Sequence, residues 1–200
     1  MDTPDTLIDL IRHGEPEGGK KYRGQTDDPL TERGWQQMWT AVGGHRPWRR
    51  IVSSPLSRCA AFAHALAGEM GLEAATDPRL MEVGYGPWSG RTTDEIRAEE
   101  PDAMAAFLRD PWSNRPVGAE DMERFTARVL AAYEEHRSGD DGPLLIVAHA
   151  GVLRTVIAHN LGMPLENLFH LQIPYAGRAR FHAPDGRLRL THLAARPPER

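Results

Sequence analysis

Apolar and polar positions fall into blocks that switch between the strand and helix periods along the chain. Residues 6–12, Thr-Leu-Ile-Asp-Leu-Ile-Arg, are a short apolar run rich in β-formers that stops at His13-Gly14, which predicts a buried strand. Residues 13–30 carry Gly14, Pro16, Gly18, Gly19, Gly24 and Pro29 and predict a loop. A loop this long in a compact domain is usually functional or disordered. Thr31 has the character of an N-cap, with Glu32 in the first turn of a helix reaching about Val42. Arg50 to Ser53 predicts a second strand, and Ser54-Pro55 an N-cap with proline at the first helical position. That helix should run from Leu56 to Met70 and end at Gly71.

The middle is less regular. Leu80 to Gly90 is rich in glycine and aromatics and predicts a loop after a short strand. Thr92 to Glu95 fits a capping box for a helix to about Glu100, followed by a short helix over Asp102 to Leu108. Met122, Phe125, Val129 and Ala132/Tyr133 are spaced for a helix over 122–136. Leu144 to Ala148 is almost wholly apolar, as a central parallel strand is, and a helix follows to about Leu161. Two or three strands follow Pro164, with Pro184-Asp-Gly186 as a hairpin turn. The pattern predicts one α/β domain over 1–200: a three-layer sandwich with a central, mostly parallel sheet, a core over about 6–193 and a frayed tail over 194–200.

Composition narrows the function classes. The chain has 200 residues, 40% hydrophobic and 26% charged, which suits a folded globular protein and excludes disorder as the main state. The formal charge of −4 implies no nucleic acid or anionic membrane partner, so any anion site must be a local cluster. The single cysteine, Cys59, excludes a disulfide scaffold within the chain and reads as a small buried helix residue. The start is acidic and polar, without the basic residues and long apolar stretch of a signal peptide, and no run is long enough to span a membrane. A cytoplasmic location is expected. His45, His64, His136, His159, His170, His182 and His192 show no close ligand spacing, so no metal site is expected. Trp35, Trp39 and Trp48 are expected to pack or to be partly exposed, which permits a homodimer, and Arg178 and Arg180 are expected to be solvated.

Candidate chemistry comes from position. Arg12 and His13 stand where the first strand stops, His149 where the strand 144–148 stops, and Arg58 early in the helix after strand 50–53. Open α/β sheets bind ligands outside the carboxyl ends of their strands, so these four residues should share one rim. Singly, each is more often a solvated arginine or a packed histidine. Together, two arginines and two histidines suit a phosphoryl group, because guanidinium donors match phosphate oxygens. The helix start at Ser54 to Ser57 should add free backbone N–H groups. Nearby guanidinium groups disfavour a charged imidazole, and a nucleophile has to be neutral. Tyr22, Tyr85 and Tyr175 fall in rim loops, where they could meet the organic half of a substrate.

Leu10-Ile-Arg12-His13-Gly14-Glu15 resembles the signature of the histidine phosphatase superfamily, the phosphoglycerate mutase-like family. Four further blocks match in order: 24–34 (from Gly24-Gln25 to Gly34), 53–58 (Ser53 to Arg58), 80–90 (around Glu82 and Tyr85), and 149–154 (His149-Ala-Gly151-Val-Leu-Arg154). The resemblance covers about residues 6–160 and is most similar to short phosphatase-type members such as α-ribazole phosphatases. It implies a metal-independent phosphomonoesterase without a cofactor, acting on a small-molecule phosphomonoester, with α-ribazole 5′-phosphate leading. His13 would be the nucleophile, forming a phosphohistidine. Arg12, Arg58 and His149 would hold the phosphoryl oxygens, and Glu82 would be the general acid. Gly24, Gln25, Tyr22, Tyr85 and Gly151 would contact phosphate or substrate. The family often has an asparagine six residues after the nucleophile. Gly19 stands there here, leaving Lys20, Lys21, Tyr22 and Arg23 as alternatives for that contact. Asp121 stands where the family's phosphatases usually have serine, which bears on a helix cap more than on chemistry.

Two other readings compete. A phosphoglycerate mutase would use the same phosphohistidine, but such chains are longer and carry paired arginines where this sequence has only Arg115. A non-catalytic phosphate-binding or interaction domain would usually have lost a catalytic residue, and none of Arg12, His13, Arg58, Glu82 and His149 is missing.

Overall fold

The computed structural model describes residues 6–139 and 142–194. The starting residues 1–5 and the tail from 195 lie outside the described residues. Six strands form one mixed sheet: β1 (Thr6–Arg12), β2 (Arg50–Ser53), β3 (Ala74–Thr76), β4 (Leu144–Ala148), β5 (Arg178–Ala183) and β6 (Arg189–Ala194), in the order β3-β2-β4-β1-β5-β6. β3, β2, β4 and β1 are parallel, and β5 and β6 add an antiparallel edge. The sheet is therefore mostly parallel, as the uninterrupted apolar run of β4 predicts.

Alternation along the strands builds two cores. Leu144, Ile146 and Ala148 face α5 (Met122–Arg137) and α6 (Ala150–Asn160), against Phe125, Val129, Val152 and Val156. Leu145 and Val147 face α1 (Glu32–Val42) and α2 (Ser57–Met70), against Met38, Phe62 and Leu66. This makes the three-layer sandwich. A third, smaller core of Trp88, Ile96, Met104 and Phe107 lies under α3 (Thr93–Glu99) and α4 (Pro101–Arg109).

The caps mostly follow the sequence. Thr31 caps α1 by accepting from the Gly34 N–H, and Thr92 and Glu95 form the capping box of α3. Asp121 caps α5 by accepting from the Arg124 N–H, and Gly71 ends α2 in the left-handed conformation. The start of α2 differs. It begins at Ser57, and Leu56 precedes it without a side-chain cap. Ser54 Oγ accepts from the Leu56 N–H at 3.3 Å, just ahead of the helix, and also bonds His149, while Asp27 Oδ1 accepts from the Ser57 N–H at 2.7 Å. A carboxylate of the chain itself thus occupies the helix end expected to be free for phosphate.

Arg178 and Arg180 are also not solvated. Asp9, central in β1, is fully buried, and a buried carboxylate needs partners. Register sets Arg180 opposite it on β5. Arg180 Nη2 and Arg178 Nη2 reach Asp9 Oδ2 at 2.8 and 2.9 Å, and Trp48 Nε1 donates to the same oxygen at 2.7 Å. Trp48 is buried, while Trp35 and Trp39 pack half-buried on Phe62.

Candidate active site

The register Arg12↔Ala148 brings the ends of β1 and β4 together. The His13 N–H donates to Ala148 O at 2.9 Å, so His13 and His149 leave adjacent strands side by side. Their rings meet edge to face, 5.2 Å between centroids. Gly14 allows α1 to approach: a Cβ there would lie 2.2 Å from Gly34 O, and one on Gly34 would lie 2.1 Å from Glu15 O.

A cavity of about 630 Å³ opens at these strand ends. Arg12, His13, Arg58, Glu82 and Gly24 line it, with Tyr22, Tyr85 and Tyr175 on its walls. His149 is fully buried behind His13, and its neighbour Ala150 reaches the lining. Of the residues expected at the phosphate or substrate, His149, Gln25 and Gly151 do not line the cavity. Gln25 is exposed, with Nε2 donating to Glu82 O at 3.3 Å. The Gly151 N–H donates to Glu82 Oε2 at 3.3 Å.

His13 Nδ1 lies 2.7 Å from Gly14 O. A carbonyl only accepts, so Nδ1 carries the proton and Nε2 of the neutral ring keeps its lone pair. Burial, then the charges of Arg12 and Arg58, hold the His13 pKa well below its ordinary value. His149 is likewise held well below, by burial and then by Arg58 and His13. Its Nε2 shares a 2.7 Å hydrogen bond with the Ser54 hydroxyl. Cys59 Sγ lies 3.7 Å from the same ring nitrogen, and burial pushes its thiol pKa far up, so it is a packed thiol and not a nucleophile.

Both arginines are anchored and keep donors in reserve. Arg58 gives Nη1 to Thr26 O at 2.7 Å and Nη2 to Gly24 O at 2.8 Å. Arg12 gives Nη1 to Ile173 O at 2.6 Å, and its guanidinium lies 4.2 Å from the Tyr175 ring centroid. The Nε of each is buried without a hydrogen-bond partner. Glu82 is fixed too: Oε1 accepts from Val83 N at 3.0 Å and Oε2 faces the α6 amino terminus. A Cβ on Gly151 would lie 2.3 Å from Glu82 Oε1, so glycine is what lets the carboxylate come so close.

The loop 15–30 forms the outer wall. Arg23 ties it together through Pro16, Glu17 and Gly19 carbonyls and Asp28. Lys21 also pairs with Asp28, at 3.0 Å. The Tyr22 hydroxyl lies 3.9 Å from Met104 Sδ. Lys20, Lys21, Tyr22 and Arg23 all line the cavity beside Gly19, and Lys20 is the exposed one of the four. Tyr22 and Tyr85 pack on each other and on Phe107, and burial pushes the Tyr85 phenol up to about 12, so it stays neutral. Arg154 lines the cavity as well, with Nε donating to Leu171 O at 2.7 Å.

Two arginines with donors in reserve, a neutral histidine with a directed lone pair and a fixed carboxylate define a site for phosphoryl transfer. The profile of the histidine phosphatase superfamily (branch 1) matches residues 8–196, and the chain belongs to that family; it is a phosphatase. It is 33% identical over 175 residues to the adenosylcobalamin/α-ribazole phosphatase of Salmonella typhimurium, covering 82% of this chain and 84% of that one. It is 34% identical over 171 residues to the glucosyl-3-phosphoglycerate phosphatase of Mycolicibacterium vanbaalenii, covering 79% and 75%. Among solved structures, the α-ribazole phosphatase of Shigella flexneri superposes with a TM-score of 0.83 at 26% identity, over 94% of this chain and 96% of that one. No helix among the described residues is long and apolar enough to cross a membrane.

Proposed function

We propose that this phosphatase is a cytoplasmic, metal-independent phosphomonoesterase that works through a phosphohistidine on a small phosphorylated metabolite. The observation that carries the reading is His13: its Nδ1–H is engaged by Gly14 O, leaving Nε2 free in a cavity it shares with Arg12, Arg58 and Glu82. Nε2 attacks phosphorus, the P–O bond to the leaving group breaks, and Glu82 delivers a proton to the departing oxygen. Water then attacks phosphorus and gives its proton to the Glu82 carboxylate, the P–N bond breaks, and its electron pair returns to Nε2. Arg12 and Arg58 hold the phosphoryl oxygens; His149, fully buried and engaged by Ser54, backs His13 from outside the cavity, and Lys20 stands beside the Gly19 position. The guanidinium charges meet the negative charge that a bound metal meets in other phosphoryl-transfer sites.

The leading substrate is α-ribazole 5′-phosphate. It is supported by the similarity to α-ribazole phosphatases and by the Tyr22, Tyr85 and Tyr175 wall, which suits a flat organic group. The test is phosphate release from an aryl phosphate in excess EDTA, with the intact protein and with His13→Ala. Activity should survive EDTA and vanish in the variant. Equal activity in both proteins would overturn the mechanism. A screen led by α-ribazole 5′-phosphate and glucosyl-3-phosphoglycerate then decides the substrate, and a higher kcat/KM for the latter would overturn the first choice.

A further inference from the structure

Glu82 sits on an irregular segment, between two short 3₁₀ turns at Pro78–Leu80 and Gly86–Trp88. Such a segment has no ladder of its own to hold it, so its carbonyls must find other donors. Arg115 Nη2 serves Gly84 O at 2.8 Å, and a single guanidinium, that of Arg128, serves three of the others. Arg128, on α5, donates Nη1 to Arg79 O at 2.6 Å and to Met81 O at 2.8 Å, and Nη2 to Glu82 O at 3.2 Å. Its Nε and Nη2 also reach Glu120 Oε1 and Oε2, at 2.6 and 2.8 Å. Glu120 Oε2 accepts from Gly84 N at 3.0 Å, which ties down the far side of Glu82. Both side chains are mostly buried, 19% and 13% exposed, so solvent screens the pair weakly. The Arg128 guanidinium also lies over Phe125, whose ring packs beneath the Gly151–Glu82 contact.

We propose that Arg128 and Glu120 are positioning residues for Glu82, a clasp that sets where the general acid stands relative to the leaving-group oxygen. This rests on the acid role given to Glu82 above. A planar guanidinium can serve three carbonyls and a carboxylate at once, and a lysine ammonium with three donors on one atom cannot reproduce that spread. Neither side chain lines the cavity, so both act on the chemistry through the segment that carries Glu82.

The test compares kcat/KM on p-nitrophenyl phosphate, whose leaving group departs without a proton, with kcat/KM on glycerol 2-phosphate, whose alkoxide needs one. Glu82→Gln should lower the alkyl-to-aryl ratio by about 100-fold, the contribution of a general acid. Arg128→Lys and Arg128→Ala should lower it about 10-fold, and should lower it by less than about 3-fold in the Glu82→Gln background, because the two changes act on one group. Should Arg128→Ala fail to fold, Arg128→Lys and Glu120→Gln carry the same comparison. Equal losses on both substrates would mean a purely structural pair and overturn the proposal. A ratio moved by Glu82→Gln but not by Arg128→Lys overturns the clasp alone. A ratio unmoved by Glu82→Gln overturns the acid assignment, and the clasp with it.

Discussion

His13 and Arg58 are held by the centre of the molecule, while Tyr22 and Tyr85 are carried by loops. The floor of the cavity is the end of β1 and β4 and the first turns of α2, where His13 is 5% and Arg58 1% exposed. Backbone pairing and two apolar cores fix these positions. The wall rests on the smaller third core and on side-chain ties such as Arg23 to three loop carbonyls. A floor fixed by the sheet suits chemistry that must stay constant. A wall fixed by side chains can change with few substitutions, which suits the choice of organic group. This fits the two substrates named for its relatives, α-ribazole phosphate and glucosyl-3-phosphoglycerate, on similar folds.

The comparison can be broken at either end. Arg58→Ala should give the largest effect, a loss of about 10³-fold in kcat/KM on every phosphomonoester tested, because a preorganised charge-stabilising donor goes. A loss confined to one substrate would move Arg58 from the floor to the wall. Gly151→Ala should come next. The added methyl must push Glu82 aside, so steady-state kinetics should show about a 100-fold loss on an alkyl phosphate and under about 10-fold on an aryl phosphate.

The floor histidines should also mark stability. Both are neutral in the folded protein, with pKa values well below 6.5, whereas the unfolded chain protonates them near 6.5. Below that pH the unfolded state binds more protons, so stability falls as pH falls, by up to about 1.4 kcal/mol per pH unit for each histidine. Urea titrations across this range should show the slope, and His13→Gln and His149→Gln should each reduce it. The wall should give the smallest effect. Tyr85→Leu should raise KM for a bulky substrate about 3- to 10-fold, with kcat nearly unchanged, on the scale of one aromatic contact. An equal fall in kcat would show that the wall takes part in the chemistry.

Much of the floor was legible in the sequence because it rests on short-range signals. Apolar runs stop at His13 and His149, and a rule of α/β topology brings strand ends together. The wall and the clasp were less legible. Arg128 and Glu120 meet residues 79–84 only after α5 folds back, and no spacing encodes that. Arg178 and Arg180 read as solvated because a lone arginine usually is. The signal that could have found them was Asp9, a carboxylate inside an apolar strand, which demands cationic partners. Ser54-Pro55 matched a helix cap locally, and the Ser54 hydroxyl does accept from the Leu56 N–H, but its second partner, His149, lies 95 residues away. Gly151 was expected at the substrate. Its missing Cβ serves Glu82 instead, a role visible only from how closely the two approach.

The proposed chemistry turns on a covalent bond between His13 Nε2 and phosphorus. The most direct measurement mixes the protein with an excess of p-nitrophenyl phosphate, quenches in alkali within milliseconds to preserve a phosphoramidate, and maps the phosphoryl group by mass spectrometry of peptides. The adduct should lie on the peptide carrying His13, form at the rate of the nitrophenol burst and be absent from His13→Ala. Turnover with no adduct on His13, or an adduct on another residue, would contradict it.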